Sequence, residues 1–385
     1  MTDTLALTKA LIDRPSVTPA DAGCQPLIAE RLEALGWHTQ SLNHGEVSNL
    51  LCLSPGHGPL LLFLGHTDVV PAEPQDAWRS PPFTATARDG VLYGRGAADM
   101  KSSVAAFITA CERTTRGWGD LGIRIGVLLT SDEEGPARDG IRALAPTLSG
   151  HTGVIDWCLV GEPSSQESLG DVIRIGRRGS LSGDITLSGR QGHVAYPDLA
   201  DNALHHLSDF LSALIAEHWD DGTADFPPTH LEVTGIETDT DASNVIPGQA
   251  IARFNLRFSP ASTKASLTQR IEALARQHSP TAVINWNLSA EPFISAPGLL
   301  RAVVAEVITA NTGQVPIGNT AGGTSDGRFI APLGAEVVEF GPINASIHQV
   351  DEHIVIAELN QLSACYEEII KRLAHSSQTT DLSKC

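Results

Sequence analysis

The sequence predicts an α/β protein. Its main domain is a mixed, mostly parallel sheet with helices on both faces, and a smaller domain is inserted into it. Apolar runs typical of buried strands alternate with helical periodicity up to about residue 178, and the order of elements changes between residues 179 and 292. Alternating strands and helices are typical of parallel sheets. At 385 residues the chain is long enough for two hydrophobic cores.

Apolar residues at helical or strand spacing predict the elements of the main domain. Their order is helices at 5–12 and 27–35, a strand at 60–64, a helix at 102–114, strands near 123–129 and 154–160 with a helix at 141–148 between them, a strand at 337–340 and a closing helix at 354–373. The polar segment 376–385 is predicted to be disordered. The main domain is therefore predicted to be discontinuous, with residues 1–178 and 293–385.

The segment 179–292 is predicted to be a separate, inserted domain. It contains a strand at 181–187, a helix at 202–218, strands at 231–235 and 250–258, a helix at 264–277 and a strand at 283–288. This β-α-β-β-α-β order is the ferredoxin-like arrangement.

Composition excludes several classes of partner. The formal net charge of −19 argues against a nucleic acid and against an anionic membrane surface. No apolar run approaches the ~20 residues that cross a bilayer, and the N-terminal residues lack the basic and apolar regions of a signal peptide. The six cysteines lie far apart without a Cys-x-x-Cys pair, which is typical of reduced thiols. These features predict a cytoplasmic protein, and the net charge says little about its substrate.

Five short segments carry side chains that bind metal ions, and three of them follow predicted buried strands. Loops at the carboxyl ends of strands in an open α/β sheet converge on one crevice. Histidines and carboxylates without a thiolate suit hydrolytic zinc, cobalt or manganese better than a structural zinc. The segments are Gly-His66-Thr-Asp68, Asp99-Met-Lys, Ser-Asp-Glu133-Glu134-Gly, Val-Gly-Glu162-Pro and Ser-Ile-His348-Gln.

These residues are sufficient for a site with two metal ions. Two ions ~3.5–4 Å apart can share one carboxylate and hold a hydroxide between them. Such a site needs a bridging carboxylate, for which Asp99 is the candidate, and one imidazole and one carboxylate for each ion. Asp68 is predicted to orient the nearby imidazole, and Glu133 is predicted to face the water as general base. The candidates for the remaining ligands are His66, His348, Glu134 and Glu162.

Each motif also has a reading without catalysis. A single His-x-Asp or Asp-Glu-Glu is more often a solvated loop, and it is the convergence at strand ends that favours a metal site.

The segment 323–327 fits the Gly-x-Ser-x-Gly pattern of a serine nucleophile, but the residues before it are too polar for the strand that this pattern requires. A glycine-rich loop that presents backbone N–H groups to a substrate carboxylate is the better interpretation.

The motifs resemble those of the co-catalytic zinc amidohydrolases and peptidases, which include aminoacylases, acetylornithine deacetylase and glutamate carboxypeptidases. The resemblance spans nearly the whole chain and implies a zinc-peptidase-like fold. It rests on Gly-His66-Thr-Asp68-Val-Val-Pro, Tyr-Gly-Arg-Gly-Ala-Ala-Asp99-Met-Lys, Thr-Ser-Asp-Glu133-Glu134-Gly and Gly-Glu162-Pro.

Three other stretches resemble the branch of this family that hydrolyses N-succinyl-LL-2,6-diaminopimelate, a step towards lysine. They are Gly176-Arg-Arg-Gly-Ser180, Gly-Gly-Thr324-Ser-Asp-Gly-Arg-Phe329 and Phe-Gly-Pro-Ile-Asn344-Ala-Ser-Ile-His348-Gln-Val-Asp-Glu. Acetylornithine deacetylases tend to differ after the Gly-Thr step. The chain departs from its relatives at Ser243, where a second Asn is common, and at Gln349, where a basic residue is common.

The resemblance implies roles for individual residues. Asp99 would bridge two Zn²⁺ ions per subunit, for which Co²⁺ or Mn²⁺ can substitute. His66 and Glu162 would bind one ion, and His348 and Glu134 the other. Glu133 would be the general acid and base.

The resemblance also makes the inserted domain a dimerisation and lid domain of a homodimer. His193, in Gln-Gly-His193-Val-Ala-Tyr-Pro, would stabilise the oxyanion across the subunit interface. The implied substrate-binding residues are Arg177, Asn244, Arg257, Thr324 and Asn344.

Two alternatives remain open. One is the same chemistry on another N-acyl amino acid such as acetylornithine. The other is a non-catalytic binding protein with a vestigial site, which the retained Glu133 disfavours because binding alone needs no base.

Overall fold

A computed structural model describes residues 3–117 and 121–382. The chain forms two compact units. Unit 1 comprises Met1–Gly176, Ile294–Asn319 and Ser325–Cys385, and unit 2 comprises Arg177–Phe293 and Thr320–Thr324.

The helices and strands of the described residues follow in chain order. They are α1 (Asp3–Ile12), α2 (Cys24–Glu33), β1 (His38–Ser41), β2 (Asn49–Leu53), β3 (Leu60–His66), β4 (Thr86–Arg88), β5 (Val91–Tyr93), α3 (Lys101–Gly117), β6 (Arg124–Thr130), α4 (Ile141–Thr152), β7 (Trp157–Val160), β8 (Val172–Arg174), β9 (Gly176–Arg177), β10 (Gly179–Ser188), β11 (Gly192–His193), α5 (Ala203–Ala216), β12 (His230–Thr238), β13 (Val245–Ile246), β14 (Gln249–Phe258), α6 (Lys264–His278), β15 (Val283–Ala290), β16 (Phe293–Ile294), α7 (Leu299–Thr312), β17 (Ile317–Asn319), α8 (Gly327–Ile330), β18 (Glu336–Glu339), β19 (His353–Val355) and α9 (Ile356–Leu382).

Unit 1 is built on an eight-stranded mixed sheet in the order β1-β2-β6-β3-β7-β18-β8-β17. The central strands β6, β3, β7 and β18 are parallel, whereas β1, β2 and β8 introduce antiparallel pairs. Every residue of β3 is buried, as expected for a strand covered on both faces. The predicted α/β class and the mixed, mostly parallel sheet are confirmed.

The register of the central strands places three of the five predicted metal-binding segments at one edge of the sheet. His66, the last residue of β3, pairs with Thr130, the last residue of β6. Leu64 of β3 pairs with Val160, the last residue of β7. The loops that leave these strands therefore start side by side, as the sequence predicted.

The core of unit 1 is aromatic at its centre. Phe63 stacks on Phe107 of α3 with ring centroids 4.2 Å apart. The Tyr366 hydroxyl donates to the Phe340 carbonyl at 2.6 Å, which joins α9 to the end of β18.

Helix α9 continues to Leu382, so the prediction of disorder from residue 376 was wrong for the part that the structure describes. Where the structure describes burial along this helix, as far as residue 378, the buried apolar residues extend to Ala374, which is why the sequence pattern ended there.

Unit 2 contains a four-stranded antiparallel sheet in the order β12-β14-β10-β15, crossed by α5 and α6. The element order β10-α5-β12-β14-α6-β15 is the predicted β-α-β-β-α-β arrangement. One face of the sheet carries the core against the two helices, including Leu181, Phe254 and Leu267. A dimerisation role for this unit stays a prediction.

Two further sequence predictions concern the whole chain. Cys24, Cys52, Cys111, Cys158 and Cys365 are buried and free, whereas Cys385 lies outside the described residues. Among the residues that the structure describes, no helix combines the length and apolar character that crossing a bilayer requires.

Candidate metal centre

The predicted metal-binding side chains of unit 1 meet around the Asp99 carboxylate. One carboxylate oxygen, Oδ1, lies 3.1 Å from the His66 Nε2. The other, Oδ2, lies 3.5 Å from the His348 Nε2. Each imidazole then has a second carboxylate beside it: the Glu162 Oε1 lies 3.6 Å from His66, and the Glu134 Oε1 lies 3.0 Å from His348. The two oxygens of Asp99 thus face two separate His–Glu pairs.

Possible ligand atoms also cluster in groups of three. One atom each from His66, Asp99 and Glu134 lie within 4.8 Å of one another, and so do atoms from His66, Glu133 and Glu162. Glu133 therefore lies among the ligand candidates, close enough to reach a molecule held between them.

The centre is built largely from loops that follow buried strands. His66 ends β3, Glu133 and Glu134 follow β6, and Glu162 follows β7. His348 lies in the loop before β19, where its backbone has a φ of +59°. A positive φ is uncommon for a non-glycine residue, and the surrounding hydrogen bonds must hold it in place.

Asp68 contacts both sides of the site. The His66 Nδ1 lies 2.9 Å from the Asp68 backbone carbonyl and 3.7 Å from its carboxylate. The carboxylate instead accepts the backbone N–H groups of Glu133 at 3.4 Å and Glu134 at 3.1 Å. Asp68 thus orients the imidazole through its main chain and the Glu133–Glu134 loop through its side chain.

Two glycines permit the loops to approach closely. A Cβ atom on Gly65 would lie 2.6 Å from the Met100 Cε. A Cβ on Gly161 would lie 2.6 Å from both the Met100 Cε and the Phe63 ring. Contacts this short do not occur for real Cβ atoms. At Gly161 the Phe63 ring is in the way, so the residue before Glu162 must be small, whereas at Gly65 the flexible end of Met100 can move.

The electrostatics of the centre are those of a cation site. Burial, and then the neighbouring Asp99, raise the pKa of Glu162 well above its usual range. Burial acts in the same direction on Asp99, but hydrogen bonds from His348 and His66 outweigh it and hold the Asp99 pKa below its usual range. The hydrogen bond to Asp99 is the largest cause that raises the pKa of His348, to about 10. The carboxylates thus favour positive charge at this position, which a bound divalent cation would supply.

The donor set fits metal ions. It supplies imidazole nitrogens and carboxylate oxygens, has no thiolate, and offers each of two positions one nitrogen and at least two oxygens. A group of buried acids this dense is costly unless positive charge compensates it.

The other predicted residues lie in unit 2, apart from Asn344. His193 and Asn244 come together because β11 pairs with β13 and because the Val194 N–H donates to the Asn244 carbonyl at 3.2 Å. The Arg177 guanidinium donates to the carbonyls of Ala321 and Gly323, both at 3.1 Å, in the glycine-rich loop that ends at Thr324.

Arg257 and Asn344 are half-buried. Arg257 lies on β14, paired with Ser180 of β10. Asn344 lies four residues before His348, and its backbone N–H donates to the Ser165 carbonyl at 2.9 Å. Their contacts with a substrate stay predictions.

Three buried acids near the centre were missed by sequence reasoning. Asp132 accepts the backbone N–H groups of residues 137–139, which fixes the loop after Glu134. Asp326 is 4% exposed, and burial raises its pKa to about 6. Glu352 is 1% exposed. Their place inside the quoted motifs was their only mark in the sequence, and it does not separate buried acids from solvated ones.

The Gly-x-Ser-x-Gly segment has no nucleophile geometry. The preceding strand, β17, ends at Asn319 and does not run directly into it, and the segment continues into the four-residue helix α8. The Ser325 hydroxyl is buried and donates to the Glu339 carboxylate.

Residues 62–372 match the peptidase family M20/M25/M40. This chain belongs to that family. The match includes every residue of the metal centre, from His66 to His348.

Curated relatives in this family are similar in sequence over almost the whole length of the chain. It is 51% identical to the succinyl-diaminopimelate desuccinylase of Halorhodospira halophila over 97% of this chain and 99% of that protein. It is 52% identical to the protein of the same name from Xanthomonas euvesicatoria pv. vesicatoria, over 97% of this chain and 99% of that protein.

Solved structures of the family share the fold. The M20 family metallo-carboxypeptidase Sso-CP2 of Sulfolobus solfataricus has a TM-score of 0.83 at 17% identity, covering 96% of this chain and 99% of that chain. YXEP of Bacillus subtilis, described as a dinuclear metal binding peptidase from the M20 family, has a TM-score of 0.73 at 13% identity, covering 97% and 98%.

Proposed function

We propose that this protein hydrolyses N-succinyl-LL-2,6-diaminopimelate to succinate and LL-2,6-diaminopimelate with two zinc ions per subunit, in lysine and diaminopimelate biosynthesis. The observation that carries the chemistry is the placement of the two Asp99 oxygens, each facing its own His–Glu pair. The substrate is supported by the shared name of relatives that are 51–52% identical over nearly the whole chain.

The proposed ligands divide into two sets. Asp99 Oδ1, His66 and Glu162 would hold one ion, and Asp99 Oδ2, His348 and Glu134 the other. When bound, two such ions supply Lewis acidity, which lowers the pKa of a water molecule towards neutrality and polarises an amide oxygen. Asp68 would keep His66 and the glutamate loop in register through the contacts described above.

Glu133 is the proposed proton carrier. Its position among the ligand candidates allows it to take a proton from the attacking water and to pass that proton to the departing amine. The same carboxyl then serves as base and as acid in one turnover. The net reaction adds one water across the amide bond and releases a carboxylate and an amine.

The proposed substrate contacts use polar groups suited to the carboxylates and amines of the substrate. Arginine binds a carboxylate through two parallel hydrogen bonds, a role we assign to Arg177 and Arg257. Asn244, Thr324 and Asn344 complete this set. His193 of the partner subunit would donate a hydrogen bond to the tetrahedral oxyanion, which makes the proposed homodimer the active form.

A comparison of two substrates tests the proposal. The protein, loaded with two equivalents of zinc, is assayed with N-succinyl-LL-2,6-diaminopimelate and with acetylornithine under identical conditions. We expect a much higher kcat/KM for the succinyl substrate, loss of activity with a chelator, and recovery when zinc is added back. Preference for acetylornithine would contradict the substrate assignment. Full activity in the presence of chelator would contradict the metal chemistry.

A further inference from the structure

We propose that Glu352 is a positioning residue for the metal centre: its carboxylate fixes the backbone of the Asp99 segment so that both Asp99 oxygens are in place before metal binds. This inference rests on the proposed function, since it concerns the same ligands. Glu352 lies four residues after His348 and is 1% exposed. None of the ligand roles discussed above involves it.

The Glu352 carboxylate uses both oxygens on the segment that carries Asp99. Its Oε1 accepts the backbone N–H groups of Ala98 at 2.8 Å and of Asp99 at 2.9 Å. Its Oε2 accepts the Gly96 N–H at 2.8 Å and the Arg95 Nη1 at 2.8 Å. We call this arrangement of Arg95, Gly96, Ala98, Asp99 and Glu352 the Glu352 clasp.

The clasp also connects the two segments that supply the bridging carboxylate and the second histidine. The Gly94 N–H donates to the Glu352 carbonyl at 3.0 Å. The Arg95 Nη1 donates to the carbonyl of Gln349, the residue after His348, at 3.3 Å. The backbone on both sides of the Asp99–His348 contact is therefore tied to one buried ion pair.

This position requires a side chain that can accept hydrogen bonds at both of its terminal atoms. Three backbone N–H groups and one guanidinium converge on Glu352, so each carboxylate oxygen receives two donors. A glutamine has the same shape but must turn its NH₂ towards one pair of donors, which breaks two hydrogen bonds and leaves Arg95 without its counter-charge. Groups that orient metal ligands typically change metal affinity by about 10- to 100-fold when they are altered.

The test compares two ion pairs whose carboxylates are buried. Glu112 is 5% exposed and accepts from the Arg31 Nε and Nη2, both at 2.8 Å, and among the described residues it makes no hydrogen bond to a segment that carries a ligand candidate. Glu352→Gln and Glu112→Gln make the same chemical change. Both variants should melt at lower temperature than the wild type. Cobalt binding, followed by calorimetry and by the visible d–d spectrum, should weaken about tenfold or more only in Glu352→Gln.

A third variant separates the backbone hydrogen bonds of Glu352 from its contact with the Arg95 guanidinium. Arg95→Lys keeps a cation beside Glu352 and leaves the three backbone hydrogen bonds intact, so its cobalt affinity should fall less than that of Glu352→Gln. Equal cobalt affinity in Glu352→Gln and wild type would overturn the inference. A loss as large in Glu112→Gln would also overturn it, because the effect would then be general destabilisation.

Hydrogen exchange on the wild-type protein tests the same point without a variant. If Glu352 holds the segment before metal binds, the peptide covering residues 94–101 should exchange slowly both in chelator-treated protein and after cobalt is added. Fast exchange that slows only with cobalt would overturn the inference but leave the proposed function standing. Wild-type protein that binds no cobalt at all would instead overturn the proposed function.

Discussion

The sheets of the two units present their polar residues in different ways. In unit 1, β3 and β7 are buried along their whole length, and the first charged groups appear only where these strands end. In unit 2, buried and more accessible residues alternate along β14, and half-buried and exposed residues alternate along most of β12. An acid at the end of a fully buried strand is therefore informative, whereas a charged residue on a half-exposed strand is ordinary. The convergence of the candidate ligands could be predicted from sequence for this reason, whereas the predicted substrate contacts carry no comparable signal.

The largest expected effect is at the end of a buried strand. Glu133→Gln removes the proposed proton carrier but keeps the shape of the side chain. We expect kcat to fall about a hundred- to ten-thousandfold, the range for loss of general acid–base catalysis. Two zinc ions per subunit should remain after dialysis, measured by atomic absorption. Glu46→Gln, at an exposed position, is the matched control. Turnover equal to that control would remove Glu133 from the mechanism.

The second prediction concerns the difference in side-chain burial between the two sheets. Phe63 of β3 is 0% exposed and stacks on Phe107, so Phe63→Ala should lower the free energy of unfolding by about 3–5 kcal/mol. Ile236 of β12 is 54% exposed, and Ile236→Ala should cost less than about 1 kcal/mol. Denaturant titration of both variants measures the difference. Similar losses would mean that β12 is covered by a partner, which would itself inform the proposed dimer.

A smaller effect is expected at a substrate contact in unit 2. Arg257→Lys keeps the charge but removes the second of two parallel hydrogen bonds to a carboxylate. This should raise KM roughly tenfold, equivalent to about 1.4 kcal/mol, with little change in kcat. Arg253 lies four residues earlier on the same strand, where it is exposed and paired with Glu237, and Arg253→Lys should leave KM unchanged. An unchanged KM in both variants would move the carboxylate site away from β14.

The smallest effect concerns acid stability of unit 2. Hydrogen bonds from Ser262 and Thr229 outweigh the opposite effect of burial and lower the pKa of Asp220 to about 2. A carboxyl whose pKa is lower in the folded state stabilises the fold above its unfolded pKa of about 4, and this contribution is lost as pH falls towards 2.

Asp220→Asn tests that contribution. The variant should melt a few degrees below the wild type at pH 7, about 4 °C for roughly 1 kcal/mol in a domain of this size. Between pH 4 and 2 the gap should narrow, because the wild type loses the contribution that the variant already lacks. A gap that is constant with pH in thermal melts would show that the carboxylate charge is not what matters.

Much of the fold could be predicted because its signals are local. The buried strands β3, β6 and β7 are uninterrupted apolar runs, and the helices α3 and α9 repeat apolar residues at helical spacing. The short strands β1, β4 and β19 could not be predicted in the same way, since three or four mixed residues carry no clear period.

The residues of the candidate site likewise divide into those with a local sequence signal and those without one. His66, Glu134 and Glu162 were located because buried strands end beside them. Glu352 was missed because its partners are backbone N–H groups, which leave no mark in a sequence. For Asp68, the sequence predicted a contact with the imidazole but not the contact of its side chain with the backbone of a loop 65 residues away, because spacing alone does not reveal such a contact.

The central claim is that Asp99 shares its two oxygens between two metal ions. Crystals of the protein loaded with two equivalents of zinc, measured at the zinc absorption edge, test it directly. The account predicts two anomalous peaks about 3.5–4 Å apart, one beside each Asp99 oxygen, with His66 and His348 on different ions. A single peak, or two peaks of which neither contacts Asp99, would contradict it.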